Sequence, residues 1–134
     1  MKVDKIMTKR LVTVKLDDSL KVVKVIFDNE GFHHLLVVES GNLHGVISDR
    51  DMLKALSPNI GTLAETNKDA ITLNKRVHQI MTRKPVTLTS NAGLYDAIEI
   101  FNSHNISCIP VVDDENEPVG IISWRDILKA LKSN

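Results

Sequence analysis

The chain repeats itself, and that repetition limits its possible folds more than any other feature. Ile6-Met7-Thr8 returns as Ile80-Met81-Thr82, and Val12-Thr13 returns as Val86-Thr87, at a constant spacing of 74 residues. Leu20, Ile26, Phe27, Val37 and Val38 return in the same register as Leu94, Ile100, Phe101, Val111 and Val112. One residue inserted in the following turn moves the spacing to 75, after which Gly45, Ile47, Ser48, Arg50 and Asp51 recur as Gly120, Ile122, Ser123, Arg125 and Asp126. The run at 53–56 recurs at 128–131. Nineteen identities between Ile6 and Leu56, held in register with one insertion, mark a tandem duplication. The copies take residues 1–57 and 77–134, and 58–76 is a connector.

Each copy carries the same succession of signals. A short β-branched strand at 12–16 has a counterpart that opens with Pro85, at a strand start where a missing N–H is tolerated. A helix follows, with Asp18 or Ser19 as its cap and Leu20, Val23, Ile26 and Phe27 on one face. In the second copy Ser90 or Asn91 takes the cap position, and Leu94, Ala97, Ile98 and Phe101 form the stripe. The apolar runs at 35–38 and 109–112 read as buried strands, each ending in a turn that sends the chain back as 45–47 or 120–122. Closing helices begin after Ser48 and Ser123. The unit is therefore βαββα, present twice, and the fold class is α+β. The connector is expected to hold a helix from about residue 69 to 81. A unit of about fifty residues buries too little surface to be stable alone, so the copies are expected to pack around a shared core with pseudo-twofold symmetry. Two equivalent clefts then lie between the repeats, each lined by its own copy.

Composition removes several function classes. Seventeen Lys and Arg balance seventeen Asp and Glu, nine against nine up to residue 67 and eight against eight beyond it. Nucleic-acid binding driven by phosphate neutralisation needs a cationic face, and this balance argues against one. The lone Cys108 has no partner for an intramolecular disulfide and no zinc-ligand spacing, which leaves no metal site and fits a reducing compartment. Apolar runs are too short to span a bilayer, and no secretory signal pattern opens the chain, so a cytoplasmic setting is expected. There is no P-loop, dinucleotide-binding glycine motif, nucleophile elbow or triad, so no enzymatic activity is expected.

The chemistry concentrates in GVISDRDMLKAL at 45–56 and GIISWRDILKAL at 120–131, where a buried strand runs straight into a helix. Ser48 with Asp51, and Ser123 with Asp126, have the spacing of a capping box, which alone accounts for both pairs. The same junction also offers free N–H donors to an anion, and a carboxylate there can accept the two hydroxyls of a ribose. Both readings stand on the residues alone.

The two repeats, each running from I-M-T through a V-T strand to a G-h-h-S-x-x-D-h-L ending with h apolar, resemble a tandem pair of CBS domains. The likeness is greatest to small standalone bacterial CBS-pair proteins of the acetoin-utilisation type. The resemblance implies a regulatory module, usually a homodimer, that binds AMP, ADP, ATP or S-adenosylmethionine and signals to an effector protein not identifiable from sequence. It implies that Asp51 and Asp126 hold the ribose, with Ser48 and Ser123 near sugar and phosphate. Adenine would lie against Thr8, Leu11, Val12 and Thr13, and against Thr82, Pro85, Val86 and Thr87. His33 and His34 match the place of the family's phosphate-binding basic residues, where the second copy has Ser107 and Cys108; the plainer reading is that they cap a strand edge. Arg50 and Arg125, beside the ribose acids, are suited to phosphate by the geometry of the guanidinium. The alternative is an interaction scaffold whose nucleotide sites are vestigial.

Overall fold

A computed structural model of the chain describes residues 1–132. After a 3₁₀ turn at Val3–Lys5, the first repeat runs β1 (Thr13–Val14), α1 (Leu20–Glu30), β2 (His34–Glu39), β3 (Asn42–Ser48) and α2 (Asp49–Ala55). The connector holds α3 (Asn67–Ile71) and a 3₁₀ turn at Thr72–Asn74, followed by α4 (Val77–Ile80) and β4 (Thr82–Arg83). The second repeat runs β5 (Leu88–Thr89), α5 (Leu94–Ser103), β6 (Cys108–Val112), β7 (Pro118–Ser123) and α6 (Trp124–Lys132). The α+β class and the doubled βαββα order are as the sequence led us to expect.

The strands β1 and β5 are shorter than expected, and β5 begins at Leu88, so that Pro85 precedes the strand and does not open it. The other local reasons are those of the sequence, with two exceptions. Ser19 caps α1 through the Val22 N–H, Leu20, Val23 and Phe27 turn inward, and Gly31 ends the helix in the left-handed region at φ 68°. β1 lies parallel to β2 with Val14 opposite Val37, and β5 lies parallel to β6 with Leu88 opposite Val111, so the pairing itself repeats at the sequence spacing. Every residue of β6 is buried. The first exception is α5, whose N-cap is Gly93, not Ser90 or Asn91; its N–H donates to Asp96 Oδ2 at 2.8 Å. Backbone at 92–94 is already bonded to the start of the chain, since Val3 N–H donates to the Ala92 carbonyl and Leu94 N–H to that of Met1. The second is the connector, which has no continuous helix over 69–81. Lys75 accepts from Leu20 N–H, Val77 N–H donates to Asp18, and His78 N–H donates to Leu16. Those bonds consume the groups that a helix would need, and the chain straightens at Lys75 and Arg76.

The leading segment of each repeat packs with the other repeat. One compact unit comprises Met1–Leu11, Ser40–Leu43 and the chain from Pro85 on; the other comprises Val12–Glu39 and His44–Lys84. Each has its own core, in place of the one shared core expected. In the first unit Val3 is fully buried with Leu94, Ala97, Phe101, Ile109, Val111, Ile122 and Ile127. In the second Val77 and Met81 are buried with Val14, Leu20, Val23, Leu35, Val37 and Ile47. Val3 and Val77 occupy equivalent places, and burying each side chain is worth about 2 kcal/mol. No helix among the described residues is long and apolar enough to cross a membrane.

Candidate functional site

The two strand-to-helix junctions bring repeated polar residues onto repeated backbone, so the candidate site is built from them. Ser48 closes β3 and caps α2: its Oγ accepts from Asp51 N–H at 3.0 Å while Asp51 Oδ2 accepts from Ser48 N–H at 2.9 Å. At the second junction Asp126 Oδ2 accepts from Ser123 N–H at 2.9 Å and Ser123 Oγ accepts from Asp126 N–H at 3.4 Å. The capping reading is thus realised in both repeats. It does not exhaust the carboxylate, because the cap occupies Oδ2 and a carboxylate has about four acceptor positions.

Strand pairing supplies the next layer, and here the structure corrects the idea that each site is lined by its own copy. In one unit, Thr8 pairs with Ile121 through reciprocal backbone bonds of 2.9 and 3.0 Å. That brings Thr8 Oγ1 to 3.4 Å from Asp126 Oδ1. In the other, β4 lies antiparallel to β3 with Thr82 opposite Val46, the equivalent register. The threonine of each I-M-T motif therefore accompanies the aspartate of the other repeat. Thr8, Thr82 and Thr13 are exposed, whereas Leu11, Val12, Pro85, Val86 and Thr87 are half-buried. Arg50 and Arg125 are exposed, and no hydrogen bond or ion pair engages either among the described residues.

The histidines separate the two junctions. His33 Nδ1 lies 2.9 Å from Asp49 Oδ2, and the His33 carbonyl accepts from Asp49 N–H at 3.0 Å. His34 is half-buried, and burial pushes its pKa below the usual 6.5; Asp49 and Asp51 pull upward against it. The sequence reading passed over Asp49. Its signal was available in the repeat, since within S-x-R-D the first copy has Asp49 and the second Trp124. The Trp124 ring sits 4.8 Å from that of Phe101, tilted by 32°, and the side chain is still 42% exposed. No group of three or more metal-ligating side chains gathers among the described residues.

The sequence profile of the CBS domain matches residues 3–58 and 77–133. The chain belongs to the CBS domain family. A CBS domain-containing protein of Dictyostelium discoideum is 31% identical over 132 residues, covering 96% of this chain and 90% of that one. Two proteins of Methanocaldococcus jannaschii, MJ0188 and MJ1225, are 33% and 28% identical and longer, and the chain spans 44% and 46% of their lengths. Among solved structures, the CBS domain pair of protein MJ0100 in complex with 5′-methylthioadenosine and S-adenosyl-L-methionine superposes with a TM-score of 0.79. It shares 29% identity and covers 99% of this chain and 97% of that one. CBSX2 in complex with AMP shares the fold, with a TM-score of 0.82, 24% identity and coverage of 98% and 96%.

Proposed function

We propose that this CBS pair is a regulatory sensor, not an enzyme, that binds an adenosine-containing ligand at the Asp51 and Asp126 junctions and passes its occupancy to a partner protein. One observation carries the reading. Each repeat keeps an aspartate whose Oδ2 completes a helix cap while the other oxygen lies outside that cap, as a diol-binding carboxylate requires. The MJ0100 pair, which binds 5′-methylthioadenosine and S-adenosylmethionine, supports the ligand class. Ser48 and Ser123 lie beside the sugar in this reading, Arg50 and Arg125 reach a phosphate tail, and Thr8 and Thr82 flank the base.

Homodimerisation belongs to the same proposal. α6 buries Ile127 and Ala130 yet leaves Trp124, Leu128 and Leu131 exposed, a wider apolar face than one core requires. A second reading, an interaction scaffold with vestigial sites, draws on Thr8, whose hydroxyl already approaches Asp126 Oδ1. A thermal-shift panel of AMP, ADP, ATP and S-adenosylmethionine separates the two. Ligand at a hundredfold over Kd stabilises by about 2.7 kcal/mol, a rise of several degrees in a chain this size. Asp51→Ala and Asp126→Ala are each expected to remove part of that rise. A flat panel favours the scaffold, and an unchanged rise in both variants refutes the ribose assignment.

A further inference from the structure

The polar residues of the two junctions differ at the position that follows the capping serine and at the His33-His34 pair, which the second repeat replaces with Ser107 and Cys108. Arg50 and Arg125 are equivalent, and so are Arg83-Lys84 and Lys9-Arg10, which follow the threonines Thr82 and Thr8. Asp49 gives the Asp51 junction a carboxylate that the Asp126 junction lacks, because Trp124 stands in its place. Asp49 is not a bystander on a solvated face. It is held by His33 at 2.9 Å, and together with Asp51 it acts on the half-buried His34, so both carboxylates address one locality. Ser107 and Cys108 occupy the positions of His33 and His34 in the second repeat, and Trp124 rests on Phe101 without contributing charge.

We propose that the residue after each capping serine sets the charge of ligand tail its site accepts: Asp49 turns the Asp51 site toward adenosyl ligands with a neutral or cationic tail, and Trp124 leaves the Asp126 site open to anionic tails. This rests on the adenosyl-ligand reading. A sulfonium or ammonium tail gains from Asp49 what a phosphate loses. A single charge several ångströms from a phosphate, partly screened, is worth about fivefold in affinity.

The test uses calorimetry on the full chain with AMP, adenosine and S-adenosylmethionine as probes, in backgrounds that leave one site. With Asp126→Ala present, Asp49→Asn is expected to tighten AMP about fivefold and weaken S-adenosylmethionine, with adenosine changed less than twofold. With Asp51→Ala present, Trp124→Asp is expected to weaken AMP about fivefold relative to adenosine. Adenosine serves as the folding control, because a variant that misfolds loses it along with AMP. An AMP-to-adenosine ratio unmoved by both substitutions overturns the charge proposal while leaving the adenosyl reading intact. Failure of the unsubstituted chain to bind any of the three overturns both.

Discussion

Asp51 and Asp126 illustrate how a structural role can leave part of one side chain outside its own cap. Each spends Oδ2 on the backbone of its own cap, and the reciprocal serine contact holds the carboxylate in a single orientation. That much was legible from S-x-x-D spacing. The approach of Thr8 to Asp126, 118 positions apart, was not, because no local pattern encodes which strand a segment will join. His34 makes a prediction at the same scale. Burial lowers its folded pKa beneath the unfolded value of 6.5, so below that pH the unfolded chain takes up a proton that the folded one resists. Stability contributed by the neutral imidazole is present above pH 6.5 and is lost as pH falls through the folded pKa. Urea titrations at pH 7.5 and 5 are expected to show a larger loss of stability on acidification in the parent chain than in His34→Gln. Equal losses would mean that the imidazole is solvated in both states.

Between elements, the leading segment of each repeat seats a methionine on a glycine of the opposite repeat's returning strand. A Cβ on Gly45 would lie 2.7 Å from both Met81 Sδ and the Thr82 carbonyl oxygen. At Gly120 the close atoms all belong to the Met7 side chain. A methionine can swing aside, but a paired strand's carbonyl cannot, because moving it breaks the β3–β4 pairing. Gly45→Ala is therefore expected to cost roughly 2–3 kcal/mol and Gly120→Ala nearer 1 kcal/mol, measured by chemical denaturation. The reverse order would show that the strand contact is the softer of the two. Both glycines were visible as repeat identities; the reason for them required the partner strand. The connector makes the same point in reverse. Its apolar spacing suits a helix, yet Lys75 and Val77 give their backbone groups to the α1 entry, and tertiary pairing overrides the periodicity.

For the molecule as a whole, interleaving makes the two repeats interdependent. A fragment of residues 1–57 lacks Val77 and Met81, which its core needs, and a fragment of 58–134 lacks Val3. Neither fragment is expected to fold when expressed alone, and far-UV circular dichroism of each should resemble an unfolded chain. A cooperatively melting fragment would contradict the interleaved cores. The duplication, the βαββα order, the inward faces and the serine–aspartate caps were determined by sequence alone, because period, capping and burial act over a few residues at a time. Only the tertiary structure decided which repeat receives each leading segment, that Thr8 accompanies Asp126, and that Asp49 binds His33. Those choices depend on pairings between distant segments, whose energies come from fitted surfaces and shared backbone bonds that no short stretch of sequence contains.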